Sequence, residues 1–567
     1  MKPRPTYYRR AHIIAALLNA LRHVTHLTDD QLVGVKILIR EQLSHPPDSA
    51  MGDFSTNIAM AAAKTAKMAP RELAEAMANE LRQSQLPLEK VEVAGPGFIN
   101  MFMTPEWFTK TVAAILAEGE QYGRSEEGAG SKVQVEFVSA NPVGPIHIGN
   151  ARGAPFGDAL ASMLDAVGYE VEREYYVNDG PHNTQALNFG RSLQARYLEA
   201  LGREVEFPED GYQGEYVIEM GRHLAQKHGE QYADMALDAE AAYVFFRLLE
   251  EEILKEAEED LRDFGVEFDC WFTEKSLYDN ADIERELAAL TEKGMAYESE
   301  GATWLRTAEF GDEKDRVLVR SDGRPTYIAA DAAYAANKFA RGFDRLIYVL
   351  GPDHAGYVPR LQAVLAACGF DLDRVEIIVY QNVRMIRGGE TVKLAKRKGQ
   401  IYSVRDLIDE VGTDAARFFF LMRSNDSHLD FDLDLAASKS EENPVYYVQY
   451  AHARICSIAK MAETREFQFD DSANLALLTD ASETALMRKL ADYPHELESA
   501  AELRAPHRLT TYLRELTQLF HQFYTNCQVL NPEDIATSTA RMALTNATRQ
   551  VLGNCLGILG ITAPESM

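Results

Sequence analysis

Residues 137–153 read FVSANPVGPIHIGNARG, a strand end that passes through a Pro/Gly loop into a helix. The preceding segment, KVQVEFVS, alternates as a strand does, and the Pro/Gly loop NPVGPIHIGN ends it. Leu160, Met163, Leu164 and Val167 then recur at helical spacing up to Gly168, and EVEREYYVN follows at once as a second strand. Strand, loop, helix and strand in this spacing predict a βαβ unit, with a right-handed crossover in a parallel sheet and a ligand site at the carboxyl end of the first strand. A histidine at the mouth of a helix, followed by glycine, suits a nucleotide. His147 can donate to a phosphate oxygen, Gly149 has no side chain to block a base or ribose, and the helix amino end favours phosphate.

Working outward, RLIYVLG and VEIIVYQ are further strands, separated by the helix VPRLQAVLAACGF. The stretch from about 196 to 264 reads as charged helices inserted into this α/β unit, with a solvent face favoured over any binding role. From about Glu441 the pattern is almost wholly helical, a separate bundle. Toward the amino terminus, a continuous amphipathic segment from Ile58 to Leu81 is expected after the turn residues PPDSAMGDFSTN. VEVAGPGFINMFM then forms a strand pair around a Gly-Pro-Gly turn, followed by a helix from Pro105 to about Glu118. The expected division is a small α+β domain at 1–120, an α/β domain at 121–440 and an all-α domain at 441–567.

The 567 residues carry 87 acidic and 58 basic side chains, a net charge of −29, which by itself argues against a nucleic-acid partner. The acidity is local, however. Residues 201–300 hold 28 acids and 9 bases, residues 1–125 are within one charge of neutral, and the stretch 381–404 has six bases against Glu390 alone. A nucleic-acid partner is therefore expected along the last two regions and away from the first. No apolar run approaches the ~20 residues that span a bilayer, and MKPRPTYYRR lacks the apolar core of a leader; a cytoplasmic protein without membrane attachment is expected. The five cysteines form no CxxC pair, so neither a disulfide framework nor a zinc site is expected.

The partner required by the His147 loop is a cluster of ammonium groups for charge growing on a phosphate, and TVKLAKRKGQ supplies Lys393 and Lys396, with Gly388, Gly389 and Gly399 as hinges. HIGN and KLAKR resemble the HIGH and KMSKS signatures of class I aminoacyl-tRNA synthetases. SANPVGPIHIGNARG, TYIAADAAYA, YVLGPDHAGYVPRL and NPVYYVQYAHARICSI resemble blocks of the arginyl-tRNA synthetase family, and GTDAARF is similar to its DALR motif, with Ala416 where leucine is usual. Asn150 stands for the second histidine of HIGH, and Leu394 and Ala395 for Met and Ser of KMSKS.

The resemblance implies a Rossmann-type class I catalytic domain with an insertion at 196–264 and a KMSKS-like loop at 384–400. Before it would stand a domain toward the tRNA elbow, and after it a DALR-type anticodon-binding bundle. It implies ATP with Mg²⁺ as substrate complex, L-arginine and tRNA-Arg as partners, a monomer, no resident metal, and activation of arginine only with tRNA bound. His147, Asn150, Lys393 and Lys396 would be catalytic; Pro145, His147, Gly149, Asn150, His354 and Lys396 would hold ATP; Ser139, Asn141, Glu274, Tyr327 and Asp331 would hold arginine. Tyr327 and Asp331, four apart, share one face of a helix start, so phenol and carboxylate can converge on one ligand; the resemblance implies that they and Glu274 take its guanidinium. Tyr446, Tyr447 and Tyr450, if exposed, could stack on unpaired bases, although aromatics at this helical spacing are more often core. Three rivals remain at this stage: a synthetase for another amino acid, a small-molecule nucleotidylyltransferase, and a silent RNA-binding relative.

Overall fold

The computed structural model describes residues 9–28, 32, 38–39, 42–392, 402–467, 469 and 472–567. Its centre is a five-stranded parallel sheet of β1 (Lys132–Glu136), β2 (Glu170–Val177), β3 (Cys270–Thr273), β4 (Arg345–Leu350) and β5 (Val375–Val379). The strand order is β5-β4-β1-β2-β3. The chain runs outward from β1 through β2 and β3, then returns to β4 on the other flank. The order reverses between β1 and β4, and in such sheets the crevice outside the carboxyl ends at that point receives the ligand. Val133, Gln134, Val135 and Glu136 of β1 are all buried, as befits a central parallel strand covered on both faces.

Helix α1 (Gly153–Ala166) lies directly on β1. A Cβ at Gly157 would fall 2.2 Å from the Phe137 ring, so only glycine lets helix and strand approach this closely. After β2 come α2 (Thr184–Ala200), α3 (Glu215–His228) and α4 (Ala239–Asp263), which make up the acidic insertion. These helices are more than a charged face. Phe245, Phe246, Leu249 and Ile253 of α4 pack with Phe189 and Leu193 of α2 in a core of their own. Beyond β3 follow α5 (Glu274–Asp279) and α6 (Tyr327–Ala340). α6 is fixed to the sheet by two ion pairs: buried Lys338 donates to Glu136 at 2.5 Å and Arg341 to Glu174 at 2.6 Å, which is how charge survives in such a site.

Two features depart from the sequence expectation at the amino-terminal end. The segment Ile58 to Leu81 is two helices, Ile58–Ala66 and Pro70–Arg82, because Lys67 turns left-handed at φ 55° and Pro70 forces the residue before it out of helical geometry. Within the presumed turn, Phe54–Thr56 is a strand that pairs with Phe98–Met103, itself paired with Leu88–Ala94. The helix Pro105–Glu118 falls where expected. Two small sheets were not foreseen: an antiparallel one of Ala296–Ser299, Ala302–Leu305 and Arg316–Val319, and one joining Val383–Arg387 to Glu390–Thr391 and Leu429–Asp432.

The carboxyl-terminal helices Pro444–Thr464, Ala481–Glu502, His507–Asn526 and Ile535–Ile558 form the expected bundle. Among its polar contacts with the rest of the chain are these two. His45 lies between the Asp53 carbonyl (2.6 Å) and Asp492 (2.9 Å); burial lowers the pKa of its imidazole, but the hydrogen bonds and the Asp492 charge outweigh it and raise the pKa above the ordinary value. Arg417, in the helix Thr413–Leu421, is 0% exposed. Its guanidinium donates to Asp158 of α1, to the Phe264 and Gly265 carbonyls after α4, and twice to the Leu559 carbonyl at the end of the bundle. All five donors of the fork are thereby used.

Candidate active site

At the carboxyl end of β1 the chain turns sharply. Val138 and Ser139 both take positive φ, 66° and 41°, which for a β-branched residue persists only where the surroundings impose it. The restraint here is Ser139, whose hydroxyl accepts from the Tyr176 backbone N–H at 3.1 Å and donates to Glu136 at 3.3 Å. This bracket aims the following residues outward. Asn141 donates to Gln185 at 2.7 Å, and its side-chain oxygen has no hydrogen-bond partner among the described residues.

His147 caps the short helix Ile148–Ala151, its Nδ1 accepting the Gly149 N–H at 2.9 Å. With Nδ1 an acceptor, the neutral ring carries its proton on Nε2, which is then a donor. Pro145, His147 and Asn150 border a cavity of about 810 Å³ whose other walls are Tyr175 of β2 and residues of the insertion, including Tyr212, Tyr216, Leu254 and Ala257. Thus the acidic stretch, read from sequence as a solvent face, supplies a wall beside the signature loop.

Lys393 and Lys396 lie outside the described residues. The chain that follows them is nevertheless placed: the Ile148 N–H donates to the Tyr402 carbonyl at 3.0 Å and the Val404 N–H to the Ile146 carbonyl at 2.9 Å, so the two segments flank His147 as a β-bridge. The basic stretch is also less charged than the count implies, because Arg384 pairs with Asp430 and Arg387 with Glu410. His354 is exposed in a single turn after β4, next to β1 at the switch point.

The opposite face of β2 carries a second constellation. Tyr176 is tilted against Tyr334 and stacked on Phe272, with centroids 4.4 and 6.3 Å apart. Glu274 is buried at the start of α5, and its pKa is pushed up to about 7, first by burial and then by the charges of Asp331 and Asp179. Asp331 is raised to about 7 as well, again mainly by burial, with Glu136 adding to it and the Tyr357 hydroxyl, which donates to it, opposing. Tyr327 stands at the rim, 56% exposed, its ring 5.9 Å from that of Tyr357. A Cβ on Gly180 would lie 2.2 Å from a Glu274 oxygen, so this glycine makes room for the carboxylate. The two acids form no ion pair among the described residues and repel one another. A group with a planar, delocalised positive charge would relieve both.

Glu274, Tyr327 and Asp331 are therefore brought together, and Asn141, Pro145, His147 and Asn150 gather on the signature loop. Ser139 acts on the turn itself. Sequence reasoning missed Glu136, Tyr176 and Tyr357, and passed over Gln185. Strand alternation in EVEREYYVN could have placed Tyr176 opposite Tyr175; nothing local marks Tyr357. On the bundle, Tyr446, Tyr447 and Tyr450 are half-buried, with Tyr446 stacked on Tyr450 at 6.3 Å, Tyr447 tilted against His521 at 5.2 Å and Arg454 over Tyr450 at 5.2 Å.

Residues 111–432 match the family model described as tRNA synthetases class I (R), catalytic domain. The chain belongs to the arginyl-tRNA synthetase family. Residues 11–103 match the family's amino-terminal domain, and 448–567 match the DALR anticodon binding domain. The arginine–tRNA ligase of Oceanobacillus iheyensis is 46% identical over 550 residues, 97% of each chain, and that of Moorella thermoacetica 49% identical over 527 residues, 92% of this chain and 93% of the other. The structure of Thermus thermophilus arginyl-tRNA synthetase matches 98% of this chain and 100% of its own with a TM-score of 0.75; at 22% identity this is a likeness of fold. The class I α/β architecture expected for the family is the one observed. Among the described residues no helix is long and apolar enough to cross a membrane.

Proposed function

We propose that the chain activates L-arginine with ATP and transfers it to the terminal adenosine of tRNA-Arg. The observation that carries this reading is the pair Glu274 and Asp331, one buried and one half-buried carboxylate that form no ion pair among the described residues, beside a tyrosine rim. The guanidinium of arginine lies between them, with Tyr327 closing over it. Ser139 holds the turn, and the Asn141 oxygen, which has no hydrogen-bond partner among the described residues, accepts from the arginine ammonium. ATP enters with its Mg²⁺ as the substrate complex and lies over Pro145, Gly149 and Asn150, with His354 on the neighbouring strand end. The arginine carboxylate attacks the α-phosphorus, forming one P–O bond as the bond to pyrophosphate breaks. His147, donating from Nε2, and Lys393 and Lys396 stabilise the charge that grows there. The 2′-hydroxyl of tRNA then attacks the arginyl carbonyl and AMP departs.

In the same reading, 1–120 contacts the tRNA elbow, 121–440 holds the chemistry and 441–567 receives the anticodon, with Tyr446, Tyr447 and Tyr450 offering stacking surfaces. The protein acts as a cytoplasmic monomer. Arginine-dependent ATP–pyrophosphate exchange tests this: exchange is expected with arginine alone among the amino acids, and only when tRNA-Arg is present. Brisk exchange without tRNA would remove the tRNA requirement; exchange with another amino acid would remove the assignment. Lys396→Ala is expected to lower the exchange turnover by ~10²-fold or more, and an unchanged rate would exclude that lysine from the chemistry.

A further inference from the structure

The insertion and the arginine pocket meet at one buried side chain. Asp179, 1% exposed, follows β2; one of its carboxylate oxygens accepts the Lys275 backbone N–H at 2.9 Å, and the other accepts from Arg247 of α4 at 3.3 Å. Lys275 is the residue after Glu274, so this bond fixes the first turn of α5, from which the Glu274 side chain projects. Tyr243, one turn before Arg247 on α4, donates its hydroxyl to the Asp179 carbonyl at 3.1 Å. Arg247 also pairs with the buried Glu250. α4 is itself seated on α2 by an aromatic core, so its side chains offer a fixed anchor.

We infer that Asp179 and Arg247 are positioning residues for arginine recognition: the insertion helix, acting through Asp179, sets where the Glu274 carboxylate stands. Arg247 has a second effect. By neutralising Asp179, it keeps a third carboxylate from adding its full repulsion to Glu274, leaving the pocket with two acids for the ligand. The inference rests on the reading that Glu274 binds the guanidinium.

The test measures KM for arginine and for ATP in the tRNA-dependent exchange reaction, with Glu274→Gln as the reference. Arg247→Met and Asp179→Ala are expected to raise the arginine KM about 10-fold or more, because displacing a binding group by an ångström is costly. The ATP KM should stay within about twofold. Arg247→Lys should recover part of the loss, since it keeps the ion pair without the fork, and Asp179→Asn should lose less than Asp179→Ala, since it can still accept from Lys275. Lys255→Met, on the exposed side of α4, should change neither constant. Should Asp179→Ala fail to fold, the Arg247 variants carry the test alone, that side chain being 41% exposed. If Glu274→Gln raises the arginine KM while Arg247→Met does not, or if both constants rise together in Arg247→Met, the positioning role is overturned and the pocket reading stands. An unchanged arginine KM in Glu274→Gln overturns the pocket reading and this inference with it.

Discussion

Replacing Arg417 with methionine is expected to destabilise the protein by about 3–5 kcal/mol, the scale for removing one partner of a buried ion pair. The substitution keeps the volume of the stem and removes all five donors. Asp158 keeps only its pairing with Arg173, and the Phe264, Gly265 and Leu559 carbonyls are left facing an apolar group. Each buried acceptor without a partner is costly on its own. Because the acceptors belong to α1, to the end of the insertion and to the last turn of the bundle, the loss should appear as separate unfolding of the carboxyl-terminal helices. Calorimetry is expected to show one transition for the native protein and two for the variant, and a single variant transition with an unchanged midpoint would show that packing alone holds these parts together. Lysine should rescue little, since one ammonium group cannot reach acceptors on three separate elements.

The second large effect is expected at the arginine pocket. Asp331→Asn should raise the arginine KM by about 10²-fold or more, in line with the ~2–5 kcal/mol seen when one member of a buried, hydrogen-bonded charge pair is lost. Turnover at saturation should change much less, since the guanidinium lies far along the side chain from the reacting carboxylate. The pH dependence follows from the same two groups. Glu274 and Asp331 sit near pKa 7 in the free protein, and a guanidinium binds their ionised forms. Arginine KM should therefore be flat at alkaline pH and rise as pH falls through about 7. In Asp331→Asn the remaining acid, Glu274, is relieved of a like charge, so its pKa drops and the rise should move to lower pH. A native arginine KM that is flat from pH 8 to pH 6 would contradict this account of the pocket.

Much of this molecule is written locally. The βαβ unit at 132–177 was readable because alternation, a Pro/Gly loop and a 3.6-residue period follow one another without interruption, and the helical bundle because its period is sustained over a hundred residues. The errors lie where a local pattern has two outcomes. Ile58 to Leu81 has one apolar period, yet Pro70 at its centre ends the first helix. FST is too short to stand out as a strand, and it becomes one because the neighbouring hairpin offers it an edge. The small sheet over 296–319 has no strong alternation; it exists because three short segments shelter one another.

The site divides in the same way. His147, Gly149 and Asn150 are contiguous, so loop chemistry alone marks them, and Tyr327 and Asp331 are joined by one helical turn. The chain order therefore determined the loop, the helix that follows it and the phenol–carboxylate pair. It could not determine that Glu274 faces Asp331, because 57 residues and a small sheet separate them and only the parallel order of β2 and β3 brings them to one rim. Nor could it show that an acidic insertion, whose charge pattern is that of a solvent face, holds Asp179 through Arg247, or that Arg417 binds three distant carbonyls. Those contacts depend on desolvated charge finding partners from whatever elements the packing places beside it, and burial is a property of the assembled fold.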